Sequence, residues 1–236
     1  MPTIQKETSL NRVLITSIVL SGIMATTARA ADPTIPSRMV EPTKLAIDRH
    51  GVKVWTYQTV GNPAFNYRAT TILDSNVTGV VAAIQDTSYL NKWVPYLRTI
   101  DTLENTNAAG MFVLRMELDF PFPLQDREVV VSGSMKQAAD GTVTMINKAV
   151  SDPRAPIQSR LLRVEHYEGS WLIRPISKNR TEVTTTGYAD PAGLLPLPIV
   201  NMFVQQQPYQ MLRNMQTIVR SPRYQNAKVK AVKNPF

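Results

Sequence analysis

Side chains suited to catalysis or metal binding are few in this sequence. It contains no cysteine, which excludes disulfides, thiolate metal sites and cysteine nucleophiles. His50 and His166 are its only histidines, so a multi-histidine metal site or a Ser–His–Asp relay has little to draw on. Acid–base chemistry would have to use His166 together with Arg115 and Glu117. The sequence therefore predicts no metal and no cofactor.

Arg115 and Glu117 lie in a stretch whose alternate residues are apolar. The apolar set within 111–120 is Phe112, Leu114, Met116, Leu118 and Phe120. A period of two predicts a strand, and it turns Arg115 and Glu117 to the face opposite Leu114. In the stretch 127–136 alternate residues are again apolar, and Gly133 leaves space at one of these positions. Such faces fit either a filled core or a lined cavity, and periodicity does not separate the two.

One long amphipathic helix is predicted near the C-terminus, over 198–219. A turn rich in glycine and proline, at 191–198, precedes it. At 100° per residue the apolar side chains share one face of this helix, and glutamine and arginine take the other. The apolar face consists of Val200, Val204, Met211, Met215, Ile218 and Val219, with Phe203 and Leu212 at its edges. We expect this face to pack on whatever the preceding chain builds.

Strand signals dominate the preceding chain. The expected strands are 52–60, 65–73, 98–104, 111–120, 127–136, 142–148, 161–168, 171–176 and 181–188. Helical spacing after a polar cap at 74–76 predicts a small helical insertion over 77–85, and 43–48 could form a short helix. About nine strands with one terminal helix indicate an α+β domain over 43–220, built on an antiparallel sheet.

The first thirty residues have the pattern of a cleavable signal peptide. A basic start containing Lys6 and Arg12 leads into a mostly apolar run at 13–27, followed by the small-x-small motif at 28–30. The run is shorter than the roughly 20 residues that a membrane-spanning helix needs. The sequence thus predicts cleavage after Ala30, export to the periplasm or beyond, and a proline-rich linker over 31–42.

The C-terminal tail, 221–236, is basic. With Arg220 just before it, the segment contains Arg223, Lys228, Lys230 and Lys233, and no acidic residue. Two interpretations stay open: a mobile solvated tail, or transient attraction to an anionic membrane surface, where each charge contributes about 1 kcal/mol. Nucleic acid is not an expected partner of an exported protein.

The order of these signals resembles the START family, the lipid-transfer domains of steroidogenic acute regulatory type, within the helix-grip superfamily. The matching pieces are FNYRATTIL at 65–73 followed by a helix, YLNKWVP at 89–95, FPLQDREVV at 122–130 and VEH at 164–166. GLLP at 193–196 then leads into the terminal helix with Asn201. The likeness covers 43–220, and the chain resembles an exported, bacterial-type member.

This resemblance implies a helix-grip fold: a curved antiparallel sheet wrapped around the C-terminal helix, enclosing an apolar tunnel for one lipid or other hydrophobic molecule. The expected ligand-binding residues are Phe112, Leu114, Met116, Val131, Gly133, Met145, His166, Trp171, Ile173, Phe203, Met211 and Met215. Sterol-binding members have a buried acidic residue and arginine, and Leu114 and Gly133 stand at those positions here. The usual anchor for a sterol hydroxyl is thus missing, which leaves His166 as the expected polar contact.

Three functions fit the sequence. The first is an exported, non-catalytic carrier of a lipid or other hydrophobic small molecule. The second is an envelope adaptor that acts through its surface, with Tyr89, Trp93 and Tyr96 as a membrane or partner contact. The third is a cyclase- or aromatase-like enzyme of the same superfamily that relies on His166. Because strand parity turns Arg115 and Glu117 away from the apolar face, the carrier ranks first.

Overall fold

The computed structural model of the protein describes residues 39–59, 65–107, 109–190, 192–193 and 195–236, with only the backbone described for 39–42 and 189. Ten strands form one sheet in the order β1-β2-β3-β10-β9-β7-β6-β5-β4, and β8 pairs with β6 in parallel. All other pairings are antiparallel. The strands are β1 Met39–Arg49, β2 Val52–Thr59, β3 Phe65–Leu73, β4 Leu97–Glu104, β5 Met111–Leu118, β6 Arg127–Gln137, β7 Val143–Ala149, β8 Leu162–Arg163, β9 Tyr167–Ser177 and β10 Arg180–Ala189.

Within the described residues, three α-helices and a short 3₁₀ turn accompany the sheet: α1 Val77–Gln85, the turn Leu90–Lys92, α2 Leu197–Ile218 and α3 Pro222–Gln225. Asn76 caps α1, accepting a hydrogen bond from the Gly79 N–H at 2.8 Å. The long helix α2 packs chiefly on β2 and β3, and α1 packs on β9, β10 and α3. The predicted α+β arrangement, a curved antiparallel sheet with one long C-terminal helix and a small helical insertion, is confirmed.

The expectation of a linker over 31–42 and a short helix over 43–48 is wrong where the structure describes those residues. β1 begins at Met39 and pairs with β2 as a hairpin. His50 and Gly51 both have positive φ, 54° and 72°, which suits a two-residue turn that matches the twist of paired strands. Pairing with β2 therefore overrides the helix tendency of 43–48. Residues 1–38, including the predicted signal peptide, lie outside the described residues.

Two other expectations need correction. The predicted strand 161–168 is only the two-residue β8, and β9 is one continuous strand that starts at Tyr167. The C-terminal tail is not a solvated mobile segment: Tyr224 and Val232 are buried in the main core. The tail is also held by polar contacts, because the backbone N–H of Lys233 donates to Gln137 Oε1 at 2.9 Å. Apolar residues spaced among the lysines give this segment a face to bury.

No helix within the described ranges is long and apolar enough to cross a membrane.

Candidate functional site

A cavity of about 370 Å³ lies between the sheet and the first half of α2. Seven strands contribute to its wall, namely β3 to β7, β9 and β10. The helix contributes Val200, Phe203, Val204, Gln207 and Met211, which recur at the three- and four-residue spacing of one helical face. The segment between α1 and β4 closes one side. The alternating pattern of the strands and the helical pattern of α2 thus meet around one space.

Burial on β5 shows that this space is a cavity and not a filled core. Leu114 and Met116 face inward yet are only half-buried, because they border empty volume. Arg115 and Glu117, between them on the outer face, are buried. Apolar residues are usually the more buried ones, and on β5 the charged residues are. Sequence periodicity did not separate a filled core from a lined cavity; this burial shows that the apolar face of β5 is a cavity wall.

Eight of the twelve predicted ligand-binding residues line the cavity together: Phe112, Leu114, Met116, Val131, Met145, Trp171, Phe203 and Met211. Gly133 lies beneath the Phe112 ring, since a β-carbon on it would come within 2.2 Å of Phe112 Cζ. Ile173 and Met215 are fully buried in the packed core and do not border the cavity. That any of the lining residues contacts a ligand stays a prediction.

His166 is placed differently from the expectation. It is exposed and does not line the cavity; it borders a separate depression with Lys148, Glu165 and Glu168. The reason is strand parity: Tyr167, the first residue of β9, points into the cavity, so its neighbour points away. His166 therefore does not provide the expected polar contact inside the cavity.

The aromatic segment expected to act at the surface is turned inward. Trp93 is 1% exposed and packs edge-to-face on Trp171, with ring centroids 6.3 Å apart. Tyr89 packs on Tyr224 and lies below the Arg223 guanidinium. Tyr96 lines the cavity. These three side chains support the interior, which removes the sequence basis for a membrane or partner contact at this segment.

An aromatic cluster of Tyr96, Phe120 and Phe203, here called the aromatic gate, borders the cavity where β5 ends and α2 begins. Phe203 lies 5.1 Å from Phe120 and 5.2 Å from Tyr96, measured between ring centroids. The Arg127 guanidinium lies 4.5 Å above the Phe120 ring, and Arg127 Nη2 donates to the Ala192 carbonyl at 3.4 Å. Burial lowers the pKa of Arg127. The arginine of the FPLQDREVV motif therefore ties the aromatic gate to the loop before α2.

Arg115 and Glu117, the other acid–base candidates, belong to an ion cluster on the outer face of the sheet. Arg115 donates to Glu128 at 2.7 Å and to Glu117 at 2.8 Å. Arg163 donates to the second oxygen of Glu128 at 2.9 Å, and Arg160 donates to Glu117 at 3.0 Å. Both arginines come from the segment between β7 and β9, which covers this face. The cluster holds that segment on the sheet, away from the cavity.

The polar residues of the cavity wall that were not predicted from the sequence include Tyr67, Asn147, Tyr167 and Thr185. Each occupies an inward position on its strand. Asn147 follows Met145 by two residues, so the parity of β7 would have placed it beside that methionine. Tyr167 was hidden because the sequence indicated two strands where the structure has the continuous β9. Within the described residues there is no cluster of side chains that could hold a metal ion.

Comparison with known proteins agrees with this architecture. The sequence matches the START domain family over residues 53–224. An uncharacterized protein of Pseudomonas aeruginosa is 29% identical over 201 residues, covering 84% of this chain and 98% of that protein. The phosphatidylcholine transfer protein of Rattus norvegicus is 23% identical over 176 residues, covering 73% of this chain and 81% of the other.

Among solved structures, the STAR-related lipid transfer protein of Xanthomonas axonopodis superposes with a TM-score of 0.70 at 24% identity, covering 77% of this chain and 100% of the other. At that identity the likeness concerns the fold. The match to the family spans most of the chain and includes the strands and the helix that enclose the cavity. The chain belongs to the START domain family, whose proteins bind lipids or other hydrophobic ligands.

Proposed function

We propose that the protein is an exported, non-catalytic carrier that holds one lipid or other hydrophobic molecule under α2. The observation that carries this proposal is the cavity of about 370 Å³ with its mostly apolar wall. Its volume falls in the range of roughly 300–1,000 Å³ typical of small-molecule sites. The name of the rat relative, a phosphatidylcholine transfer protein, supports a lipid as the cargo.

Apolar contact is sufficient for useful affinity in such a site. Burying apolar surface contributes ~25 cal/mol per Å², so roughly 300 Å² of buried ligand contributes about 7 kcal/mol. Methionine at 116, 145 and 211 gives the wall unbranched, flexible side chains that adapt to different chain shapes. A ligand of this kind needs few polar contacts, which matches the mostly apolar surface of the wall.

The proposal of a non-catalytic function rests on where the candidate acid–base residues lie. Arg115 and Glu117 are engaged with each other on the outer face of the sheet. His166 is exposed outside the cavity. General acid–base catalysis requires such a group within hydrogen-bonding reach of the substrate. The position of these three side chains therefore favours a carrier over a cyclase- or aromatase-like enzyme.

We place the contact with a donor or acceptor membrane at the loop between β5 and β6. Phe122, between two prolines, is 97% exposed, and Leu197 and Met202 at the start of α2 are exposed as well. These apolar side chains flank the aromatic gate, so insertion into a bilayer and opening of the gate can be coupled. The basic C-terminal tail contacts Gln137, the last residue of β6. This is about 33 Å along the strand from Arg127, where β6 leaves the loop, so the tail lies away from the proposed membrane contact.

Export is proposed from the sequence of the first thirty residues, as a protein that moves lipids within the cell envelope would require. Fractionation of the source cells, with the mass of the purified protein, tests it. Recovery from the periplasm or medium with Ala31 at the N-terminus is the expected result. A chain retained in the cytoplasm with Met1 intact would contradict export without affecting the carrier function.

Native mass spectrometry of protein purified without detergent tests the carrier function. A discrete added mass that is lost on denaturation is expected. Leu114→Trp, which projects a bulky ring into the cavity where the ligand would lie, should lose this mass. Ile146→Trp, on the exposed outer face of β7, should retain it and serves as the matched control. A wild-type protein without added mass that also fails to bind Nile red and to take up fluorescent lipids, phosphatidylcholine included, from vesicles would refute the proposal.

A further inference from the structure

A row of residues with three glycines crosses the cavity wall from β3 to β5. Register places Tyr67 opposite Gly187, Gly187 opposite Gly169, and Gly169 opposite Asn147. The row continues from Asn147 to Gly133 and then to Phe112. Each glycine lies below a neighbouring large side chain: a β-carbon on Gly187 would come within 2.5 Å of the Tyr67 ring. The glycines thus let polar and aromatic groups lie flat against the sheet.

Two polar atoms converge over the central glycine of this row. Asn147 Oδ1 and the Tyr167 hydroxyl oxygen each lie 2.5 Å from the point where a β-carbon of Gly169 would sit. The Asn147 amide nitrogen donates to the Tyr167 hydroxyl at 3.4 Å. Asn147 Oδ1 itself is buried and accepts no hydrogen bond within the described part of the chain. A buried acceptor without a donor is unfavourable, and a donor from a ligand would offset this.

The space over Gly169 between Asn147 and Tyr167, here called the niche, has polar but uncharged surroundings. Tyr67 shares a hydrogen bond with Thr185, and burial raises the pKa of both Tyr67 and Tyr167, so both phenols stay neutral. The charged residues of the cavity wall, Glu104 and Arg127, lie where β4 ends and where β6 begins. A charged ligand group in the niche would lose its hydration without gaining a partner of opposite charge, which is unfavourable.

We propose that Asn147 and Tyr167, seated on Gly169, form a subsite for the hydroxyl group of a neutral lipid. A hydroxyl both donates and accepts, so the ligand O–H can donate a hydrogen bond to Asn147 Oδ1 while its oxygen accepts one from the Tyr167 hydroxyl. An ether or ester oxygen only accepts and leaves Asn147 Oδ1 unpaired. This inference rests on the proposed carrier function and specifies its cargo as an alcohol. It supplies a polar anchor at a place other than Leu114 and Gly133.

Displacement of the fluorescent dye Nile red from the full chain tests this proposal. The competitors are 1-dodecanol, its methyl ether and dodecanoic acid at pH 8, which share one alkyl chain. We expect the alcohol to bind about tenfold more tightly than the ether, a difference of about 1.4 kcal/mol. In Asn147→Leu and in Tyr167→Phe this preference should fall to about twofold or less, because each variant removes one partner of the hydroxyl.

Tyr209→Phe is the matched control. It also removes a tyrosine hydroxyl, one that contacts His50 Nδ1 at 2.7 Å outside the cavity, and it should retain the tenfold preference. Equal, tight binding of alcohol and ether by the wild type would overturn the hydroxyl subsite and leave the carrier function intact. Tighter binding of the acid would overturn it too. Failure of Nile red and all three competitors to bind would refute both the subsite and the carrier.

Discussion

Glu128→Gln is expected to destabilise the protein strongly, because Glu128 is the centre of the outer ion cluster. Its side chain has 0% exposure and accepts hydrogen bonds from Arg115 and Arg163 and from the backbone N–H of Gln158. Glutamine would turn an amide NH₂ toward one of the two guanidinium groups and remove the charge that both arginines neutralise. Breaking a buried ion pair on one side costs about 3–5 kcal/mol. With unfolding free energies of about 5–15 kcal/mol, this is a large fraction of the total.

Urea unfolding followed by tryptophan fluorescence measures this loss. With a slope of about 2–3 kcal/mol per molar urea, the midpoint should fall by about 1–2 M. Glu182→Gln is the matched control, since Glu182 pairs with Arg174 at 2.7 Å on the exposed sheet surface. It should cost no more than about 1 kcal/mol. Equal small losses for both variants would refute the assignment of Glu128 as a buried, paired charge.

The pH dependence of the unfolding free energy tests the same ion cluster independently. Burial alone would raise the pKa of Glu128, but hydrogen bonds from Arg115 and Arg163 outweigh it and hold the pKa below its usual value. Glu128 therefore binds a proton more readily in the unfolded chain than in the folded protein. The stabilisation is present above the unfolded pKa of about 4.3 and is lost as the pH falls through the folded value. The stability difference between wild type and Glu128→Gln should accordingly narrow on acidification below about pH 4; a constant difference would contradict this.

Three further predictions concern the cavity and the tail. Phe203→Ala removes two ring contacts of the aromatic gate, each worth about 0.5–1.5 kcal/mol, so transfer of fluorescent lipid between vesicles should accelerate about tenfold; an unchanged rate would mean that the gate does not limit release. Gly187→Ala forces the Tyr67 ring out of place, and we expect about 1–3 kcal/mol of destabilisation by thermal unfolding; an unchanged midpoint would refute the close packing. Removing residues 226–236 should lower the midpoint by several degrees, because Val232 leaves the core; a mobile tail would give no change.

The fold was largely predictable from local patterns. β3 and α1 have the predicted bounds, and α2 differs from prediction by one residue at each end. In these elements, caps and periodicity agree with the tertiary packing. The failures are β1 and the start of β9, where strand pairing decides. The segment 43–48 is a strand because a hairpin turn brings it alongside β2, and no local signal was strong enough to indicate this.

The candidate site was predictable in its apolar part only. Leu114 and Met116 line the cavity because β5 alternates regularly, and alternation is visible in sequence. Trp171 also lines it, and it was predicted from the resemblance to the START family. Asn147 was missed because one polar residue at an inward position looks, in sequence, like a break in the apolar alternation of the strand. His166 was misplaced because its position was carried over from the resemblance to the START family. In the structure it precedes Tyr167, which points into the cavity, and neighbouring residues of an extended chain point to opposite faces.

The sequence by itself determined the kinds of element, their order and which strand faces are apolar, since these follow from periodicities of two and 3.6 residues within one segment. Only the tertiary structure decided that these faces surround a cavity, because empty volume depends on how seven strands and one helix are positioned together. It also decided that three glycines from separate strands align in one row, and that Asn147 meets Tyr167 over the central one. These relations join residues far apart in the chain, so they arise from strand pairing and no local pattern encodes them.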